Sequence, residues 1–352
     1  MKIMKKIFST LPMLRLLPPF LLAAAMVLLC GCRAGEPEEL AMTEIYFDTV
    51  VQIRIQGGTP EMLETCKEMC SYYERLLSKE FPTSEISRVN ASPQVAVEVS
   101  PETAGLIRQG LYYGELSDGN FDVTIAPVSD LWNFHDTQNP SIPSKEARES
   151  ARVLVNYKNV LIEGNEVTLL VPGMKLDLGG IAKGYIADRL KEYLVGEGVE
   201  HGYINLGGNV LLIGKKYDGS NYRIGIQRPF DKSGQAITSV EAADCSIVSS
   251  GIDQRYFEKD GKLYHHILNP ETGMPFENDL LQVTVISDDS VSGDALSTCC
   301  FALGLEEGTK LIESLENVEA VFITKDYELH YAGKRKEQRV SLAKLSRQAR
   351  PL

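Results

Sequence analysis

Asp177 and Lys183 stand on either side of two adjacent glycines in Leu176-Asp177-Leu178-Gly179-Gly180-Ile181-Ala182-Lys183-Gly184-Tyr185. A short strand that delivers an acid, glycines that admit a ligand close to the backbone, and a helix N-terminus with free N–H groups together suit a phosphate or pyrophosphate. The same residues also make an ordinary tight strand–helix turn, so the stretch alone does not decide. It matches neither a P-loop nor the dinucleotide fingerprint. A second candidate is Ser292-Gly293-Asp294-Ala295-Leu296-Ser297-Thr298. Asp294 and Thr298, four apart, share one helix face with Ser297 alongside. Hard oxygen donors at that spacing can hold Mg²⁺, which needs few protein ligands when a substrate phosphate supplies others. The alternative is an acid placed in the first turn of a helix by the macrodipole.

Two of the five histidines adjoin, in Tyr264-His265-His266-Ile267. Neighbouring side chains in a strand point to opposite faces, so the pair cannot chelate one metal. One can serve a site as base or donor while the other is structural. Asn120, Phe121 and Asp122 follow Gly119, which can end a helix, and Phe121 can pack on a planar ring as readily as in a core. No Gly-x-Ser-x-Gly elbow occurs, and the Ser341–Lys344 spacing lacks companion motifs.

The elements that must position these residues are legible from periodicity. Alternation over Thr49 to Ile55 predicts a strand, and Thr59-Pro60-Glu61 opens a helix carrying Met62, Cys66, Met69, Tyr73 and Leu76 on one face. Ser100-Pro101-Glu102 opens another, running to about Ser117. Val160–Ile162 and Val167–Val171 flank a hairpin turn, Lys175–Leu178 reads as a short strand, and a helix runs from Ile181 to about Val195. Strands follow at Tyr203–Asn205, Val210–Ile213, Tyr222–Ile226, Ser246–Ser249 and Leu281–Ile286. A helix over Gly293–Leu303 and a hairpin of Val321–Thr324 with Glu328–Tyr331 close the pattern. Hairpin-linked strands mixed with helices predict an α+β fold, with mixed, largely antiparallel sheets.

The ends of the chain read differently. Lys2, Lys5, Lys6 and Arg15 precede the apolar run Phe20–Leu29, which is too short to span the ~30 Å hydrocarbon core. Leu29-Cys30-Gly31-Cys32 resembles a bacterial lipobox with Cys32 as the lipidated residue, so residues 1–31 read as an export signal. Residues 32–44 read as a tether, 45–333 as one catalytic domain and 334–352 as a basic, solvated tail. A net charge of −12 over 352 residues argues against a nucleic-acid binder. Seven cysteines in a chain this long, without Cys-x-x-Cys, argue for buried thiols rather than a disulfide framework or a zinc site.

In order along the chain, Phe47-Asp48-Thr49, Ser84-Glu85-Ile86-Ser87-Arg88-Val89-Asn90, Gly119-Asn120-Phe121-Asp122-Val123-Thr124, the Asp177–Lys183 block, Asn205-Leu206-Gly207-Gly208-Asn209, the His265-His266-Ile267 block and Asp294–Thr298 resemble the ApbE family. The resemblance implies an ApbE-like fold and a Mg²⁺-dependent enzyme. Such an enzyme splits FAD, releases AMP and attaches FMN to a Thr or Ser hydroxyl of an extracytoplasmic flavoprotein, such as a subunit of a membrane redox complex. By similarity Phe47, Asn120, Phe121, Asp122, Asp177, Lys183 and Ile267 contact FAD. Gly180, Asp294, Ser297 and Thr298 hold the metal, and His266 is the candidate general base. The family's usual Met-Gly-Thr is Phe47-Asp48-Thr49 here, and Asn269 stands where an acid is common. A FAD pyrophosphatase using water as nucleophile, or a lipid-anchored flavin binder without chemistry, would carry much of the same pattern.

Overall fold

A computed structural model describes residues 38–134 and 139–333, with the backbone of 341–343. The strands are β1 Glu39–Tyr46, β2 Thr49–Gln56, β3 Val97–Glu98, β4 Val160–Glu163, β5 Glu166–Leu169, β6 His201–Leu206, β7 Asn209–Ile213 and β8 Tyr222–Gln227. They continue as β9 Ala236–Ala242, β10 Ser246–Gly251, β11 Tyr256–Lys259, β12 Lys262–His265, β13 Leu280–Ser287, β14 Glu319–Thr324, β15 Leu329–Gly333 and β16 Ser341–Ala343. The helices are α1 Pro60–Leu77, α2 Glu85–Asn90, α3 Pro101–Leu116, α4 Ala126–Ser129, α5 Lys145–Arg152, α6 Ala182–Gly196 and α7 Ser290–Ser314.

An eight-stranded sheet in the order β1-β2-β6-β7-β10-β13-β14-β15 forms the frame, and every pairing in it is antiparallel. Burial along its strands records what lies on each face. Strand β2 has only one covered face, so Val51, Ile53 and Ile55 are buried while Val50 and Arg54 are exposed. All eight residues of β13 are buried. One face of the central strands packs on α1, α3, α6 and α7 through Val283, Val285, Phe322, Leu190 and Phe301. The other face packs Leu212, Ile247, Ile286 and Ile323 against Ile226, Val240 and Ala242 of β8 and β9. A continuous apolar run such as Leu280–Ser287 is what two covered faces demand.

Helix starts follow the expected chemistry. Pro60 and Pro101 sit in the first turns of α1 and α3, and the Ser100 side chain accepts from Thr103 N–H at 3.2 Å. Helix α7 changes direction at Gly304, whose φ of 78° is open to glycine. The helix predicted over Gly293–Leu303 ends at that kink, and a second helical stretch continues to Ser314.

Four expectations differ from the structure. Strand β1 begins at Glu39, so the stretch read as a tether to residue 44 already belongs to the sheet, paired residue for residue with β2. Lys175–Leu178 is not a strand. It forms a single parallel bridge with Ile125, while Leu176 exchanges N–H and C=O with the Asn90 side chain, at 2.6 and 3.0 Å, in place of a neighbouring strand. Strand β9 and the β11–β12 ribbon have no strand predicted for them. The basic tail contributes β16, which pairs antiparallel with β9. The export signal and Cys32 lie outside the described residues. Cys66, Cys70, Cys299 and Cys300 are buried thiols, and burial pushes Cys66, Cys70 and Cys299 each up to about 12.

Candidate active site

A cleft of about 1660 Å³ opens between these layers, larger than the ~300–1,000 Å³ of ordinary small-molecule sites. Phe47, Asn120, Phe121, Asp122, Asp177, Gly180, Lys183, His266, Ile267, Asp294 and Thr298 all line it. Ser297 does not. It is fully buried, donates to the Asp294 carbonyl at 2.9 Å and pairs with Ser250 Oγ at 2.8 Å.

The corner where α6 meets α7 is the most constrained part. Gly184 lies so close to α7 that a Cβ there would come within 2.3 Å of the Ser290 carbonyl oxygen. That approach lets Gly184 N–H donate to Asp294 Oδ2 at 2.9 Å. Asp294 is buried, and its Oδ1 lies 3.5 Å from Lys183 Nζ, which also donates to the Gly179 carbonyl at 3.1 Å. In return Asp188 of α6 accepts from the first N–H groups of α7, Ser290 at 2.8 and 3.0 Å and Val291 at 2.8 Å. Each helix thus places a carboxylate on the other's backbone. Burial raises Asp188 to about 6 in spite of these bonds. The Ser290 hydroxyl donates to Asn209 Oδ1 at 2.5 Å and accepts from Ser246 Oγ at 3.0 Å, tying the corner to β7 and β10.

The Gly179-Gly180 turn fits its surroundings for a second reason. A Cβ on Gly180 would lie 3.0 Å from the Phe121 ring. Asp177 Oδ1 accepts from Gly179 N–H at 2.9 Å, and Oδ2 lies 3.4 Å from Lys79 Nζ and 3.2 Å from Ser129 Oγ. Lys79 and Lys175 both reach Asp130. Burial alone would lower Lys79, but Asp177 and Asp130 outweigh it and hold the ammonium above its usual range.

Asn120, Phe121 and Asp122 are held by their own loop. Asn120 Nδ2 donates to the Ser117 carbonyl at 2.8 Å and Phe121 N–H to Ser117 Oγ at 2.9 Å. The Asp122 carboxylate is saturated from within: Oδ1 accepts from Thr124 N–H and Oγ1 at 2.7 and 2.6 Å, and Oδ2 from Tyr157 N–H at 2.8 Å. It anchors the loop rather than offering a charge to a ligand. Phe47 and Asp48 form the two-residue turn of the β1–β2 hairpin with φ of 55° and 54°, a left-handed pair matching a type I′ turn. Phe47 N–H donates to Glu74 Oε1 at 2.6 Å, which aims the hairpin tip at the cleft.

The adjacent histidines separate as alternation requires. His265 is buried, with Nε2 on the Phe276 carbonyl at 3.0 Å and its ring edge-on to Phe301. His266 lines the cleft, with Nδ1 3.3 Å from the Arg255 carbonyl. A carbonyl only accepts, so Nδ1 carries the proton and Nε2 holds the free lone pair. Burial, then the charges of His265 and Arg255, lower His266 to about 3; burial lowers His265 to about 4. Both rings are neutral at pH 7.

The donor set suits a hard divalent cation. Asp294, the Thr298 hydroxyl and the Gly180 backbone are oxygen donors on one cleft, and Ser250 Oγ supports Thr298 Oγ1 at 3.2 Å. Among the described residues no three His, Cys, Asp or Glu side chains cluster as metal ligands. Sequence reasoning missed Ser250, Asp188, Gly184 and Asn90. Asp188 had a visible signal, since it lies one turn beyond Gly184 on the same helix face.

The ApbE family model matches residues 47–322. A FAD:protein FMN transferase of Klebsiella pneumoniae is 38% identical over 267 residues, spanning 74% of this chain and 82% of the relative. One from Treponema pallidum is 30% identical over 318 residues, 84% of this chain and 87% of the relative. Among solved structures, the ApbE protein of Thermotoga maritima superposes with a TM-score of 0.77 at 29% identity, covering 84% of this chain and 97% of the other. The flavin transferase ApbE from Vibrio cholerae gives 0.76 at 26% identity, with the same coverages. From the hairpin tip at Phe47 to β14, this chain belongs to the ApbE family.

Proposed function

We propose that this chain transfers FMN from FAD to a hydroxyl of a protein acceptor and releases AMP. The observation that carries the reading is the α6–α7 corner, where Lys183, Asp294 and Thr298 border one large cleft also lined by His266 and Phe121. The FAD:protein FMN transferase relatives supply the identity of the substrate. In the step proposed, the acceptor hydroxyl oxygen bonds to the phosphorus of the FMN half, and the bond from that phosphorus to the AMP oxygen breaks. The hydroxyl proton passes to His266 Nε2, and AMP departs with the electron pair of the broken bond. A low pKa makes His266 a weak base alone; the negative charge of a bound pyrophosphate beside it raises its proton affinity. Lys183 and the start of α6 orient the phosphate oxygens. The cleft's aromatic side chains, Phe121 and Phe47, offer faces to planar rings.

Mg²⁺ belongs to the same proposal, held by Asp294, Thr298 and the Gly180 carbonyl, with Ser297 positioning Thr298 through Ser250. Bound there, the metal supplies positive charge that stabilises the leaving phosphate. The proposal also places the chain outside the cytoplasmic membrane, lipidated at Cys32, where its acceptor is an exported flavoprotein. The leader sequence supports this location, and loss of lipid labelling in Cys32→Ser tests it. The central experiment incubates the full chain with FAD, Mg²⁺ and a Thr-containing acceptor domain. The expected result is an acceptor mass increased by one FMN less one water, with AMP released in equal amount. Free FMN and AMP without that increase would mean a pyrophosphatase, and unhydrolysed FAD a binder.

A further inference from the structure

Among the described residues, four basic side chains line the cleft: Lys79, Lys175, Lys183 and Arg255. Three already have acid partners, Lys79 with Asp130 and Asp177, Lys175 with Asp130, and Lys183 with Asp294. Arg255 differs. The residue is half-buried, yet among the described residues its guanidinium meets no carboxylate, carbonyl or hydroxyl. With no carboxylate neutralising it, the guanidinium is available to pair with an anion that enters the cleft. The backbone at this position is meanwhile fixed, because the Arg255 carbonyl takes both His266 N–H at 3.1 Å and His266 Nδ1. Arg255 and His266, the proposed reacting group, line the same cleft and are joined by these two bonds.

We infer that Arg255 binds a phosphate oxygen of the nucleotide, its planar fork matching a phosphate edge and holding it next to His266. The nucleotide's identity rests on the flavin-transfer reading; the anion-binding role rests on the unpaired guanidinium. This residue lies outside the sequence blocks quoted above and follows the Ser249-Ser250-Gly251 end of β10 by four positions.

The test compares ligands that differ only by phosphate. Binding of FAD, FMN and riboflavin is measured by flavin fluorescence in EDTA, with no acceptor present, for the parent, Arg255→Ala and Arg255→Lys. Arg255→Ala should weaken FAD and FMN by about tenfold or more and riboflavin by less than about twofold, with Arg255→Lys between for the phosphorylated ligands only. Equal losses for riboflavin and FMN would mean that Arg255 merely supports the cleft, and unchanged FMN binding in both variants would also overturn the assignment. Melting temperatures accompany each variant, and Arg255→Lys keeps the test valid if Arg255→Ala does not fold. A parent that binds FAD and FMN but never labels an acceptor refutes the transferase reading alone. A parent that labels it while Arg255→Ala binds FMN normally refutes the Arg255 role alone.

Discussion

Two charged clusters line the same cleft and are built on different principles. At the α6–α7 corner, carboxylates bond to backbone: Asp294 to Gly184 N–H, and Asp188 to Ser290 and Val291 N–H. The Asp294 side chain is only 6% exposed. Around Asp130 the bonds run between side chains, from Lys79 and Lys175, with exposures of 21 to 49%. A charge bonded to backbone moves only if a helix moves, so the corner's geometry is a property of the fold. A charge bonded to a flexible ammonium beside water is screened and can exchange its partner for a ligand. The corner is therefore suited to fixing a reacting phosphate, and the Asp130 cluster to admitting and releasing a substrate.

The strongest way to break this contrast is Gly184→Ala. The new methyl group meets backbone, the Ser290 carbonyl oxygen at 2.3 Å and Val291 Cα at 2.7 Å, and neither can rotate away. Separating the helices should cost about 1–3 kcal/mol in denaturant melts and lower flavin transfer by about 100-fold or more. Full activity in this variant would show that the corner is not the site's frame. Asp294→Asn sharpens the point, since its amide oxygen can still accept from Gly184 N–H while the negative charge is lost. It should melt near the parent temperature yet transfer flavin about 100-fold more slowly, with a weakened response in a Mg²⁺ titration. Asp188→Asn leaves the ligands untouched and relaxes only the clamp. About a tenfold fall in kcat is expected, with FAD binding little changed and faster amide exchange at Gly184 and Val291.

How far the sequence foretold this contrast depends on the range of the interactions. Asp294 with Thr298 on one helix face, and the opposite facing of His265 and His266, follow from helical and strand periodicity; that His266 is the member at the cleft follows from the family resemblance, and the structure places it there. Ser297 shows the limit: three positions from Asp294 it shares a helix face, but β10 covers it, and only the tertiary packing reveals that Ser250 stands between it and the cleft. Lys175–Leu178 looked like a strand because its side chains alternate; a side chain, Asn90, supplies the pairing instead of a neighbouring strand, and no local pattern announces that. Asp122 has the composition of a ligand-binding acid, and its saturation by Thr124 and Tyr157 joins residues 35 apart. The start of β1 gives little local signal because it is an edge strand that buries only Met42 and leaves Ile45 exposed.

Acid should expose a difference between neutral and charged buried groups. Burial holds His265 at about 4 and His266 at about 3 in the folded chain, against ~6.5 when unfolded. Their contribution to stability is complete above ~6.5 and is lost as pH falls toward 4 and then 3, because the unfolded chain takes up protons first. Asp188, raised to about 6, acts in the opposite direction between pH 6 and ~3.9. The two histidines together span the larger shift, so the melting temperature should fall from pH 6.5 to 4. Replacing His265, which does not line the cleft, by Gln should flatten that fall.

The smallest expected effect tests the other half of the comparison. Asp130 is shared by Lys79 and Lys175, and both ammoniums hold its carboxyl below the usual range despite burial. In Asp130→Asn, Lys79 keeps Asp177 at 3.4 Å and Ser129 Oγ at 3.3 Å, while Lys175 is released to solvent. Partly exposed pairs of this kind contribute about 0–1 kcal/mol, so the melting temperature should change by only a few degrees. Any kinetic change should be a KM effect for FAD of about threefold or less, with kcat retained, because the Asp130 cluster binds without holding the reacting atoms. Added salt should erase the difference between Asp130→Asn and the parent, while the deficit of Asp294→Asn, set by a buried group, should persist through the same series. If Asp130→Asn instead lost kcat in a salt-independent way, the two clusters would be one machine, and the exposure of Lys79 and Lys175 would be no guide to their roles.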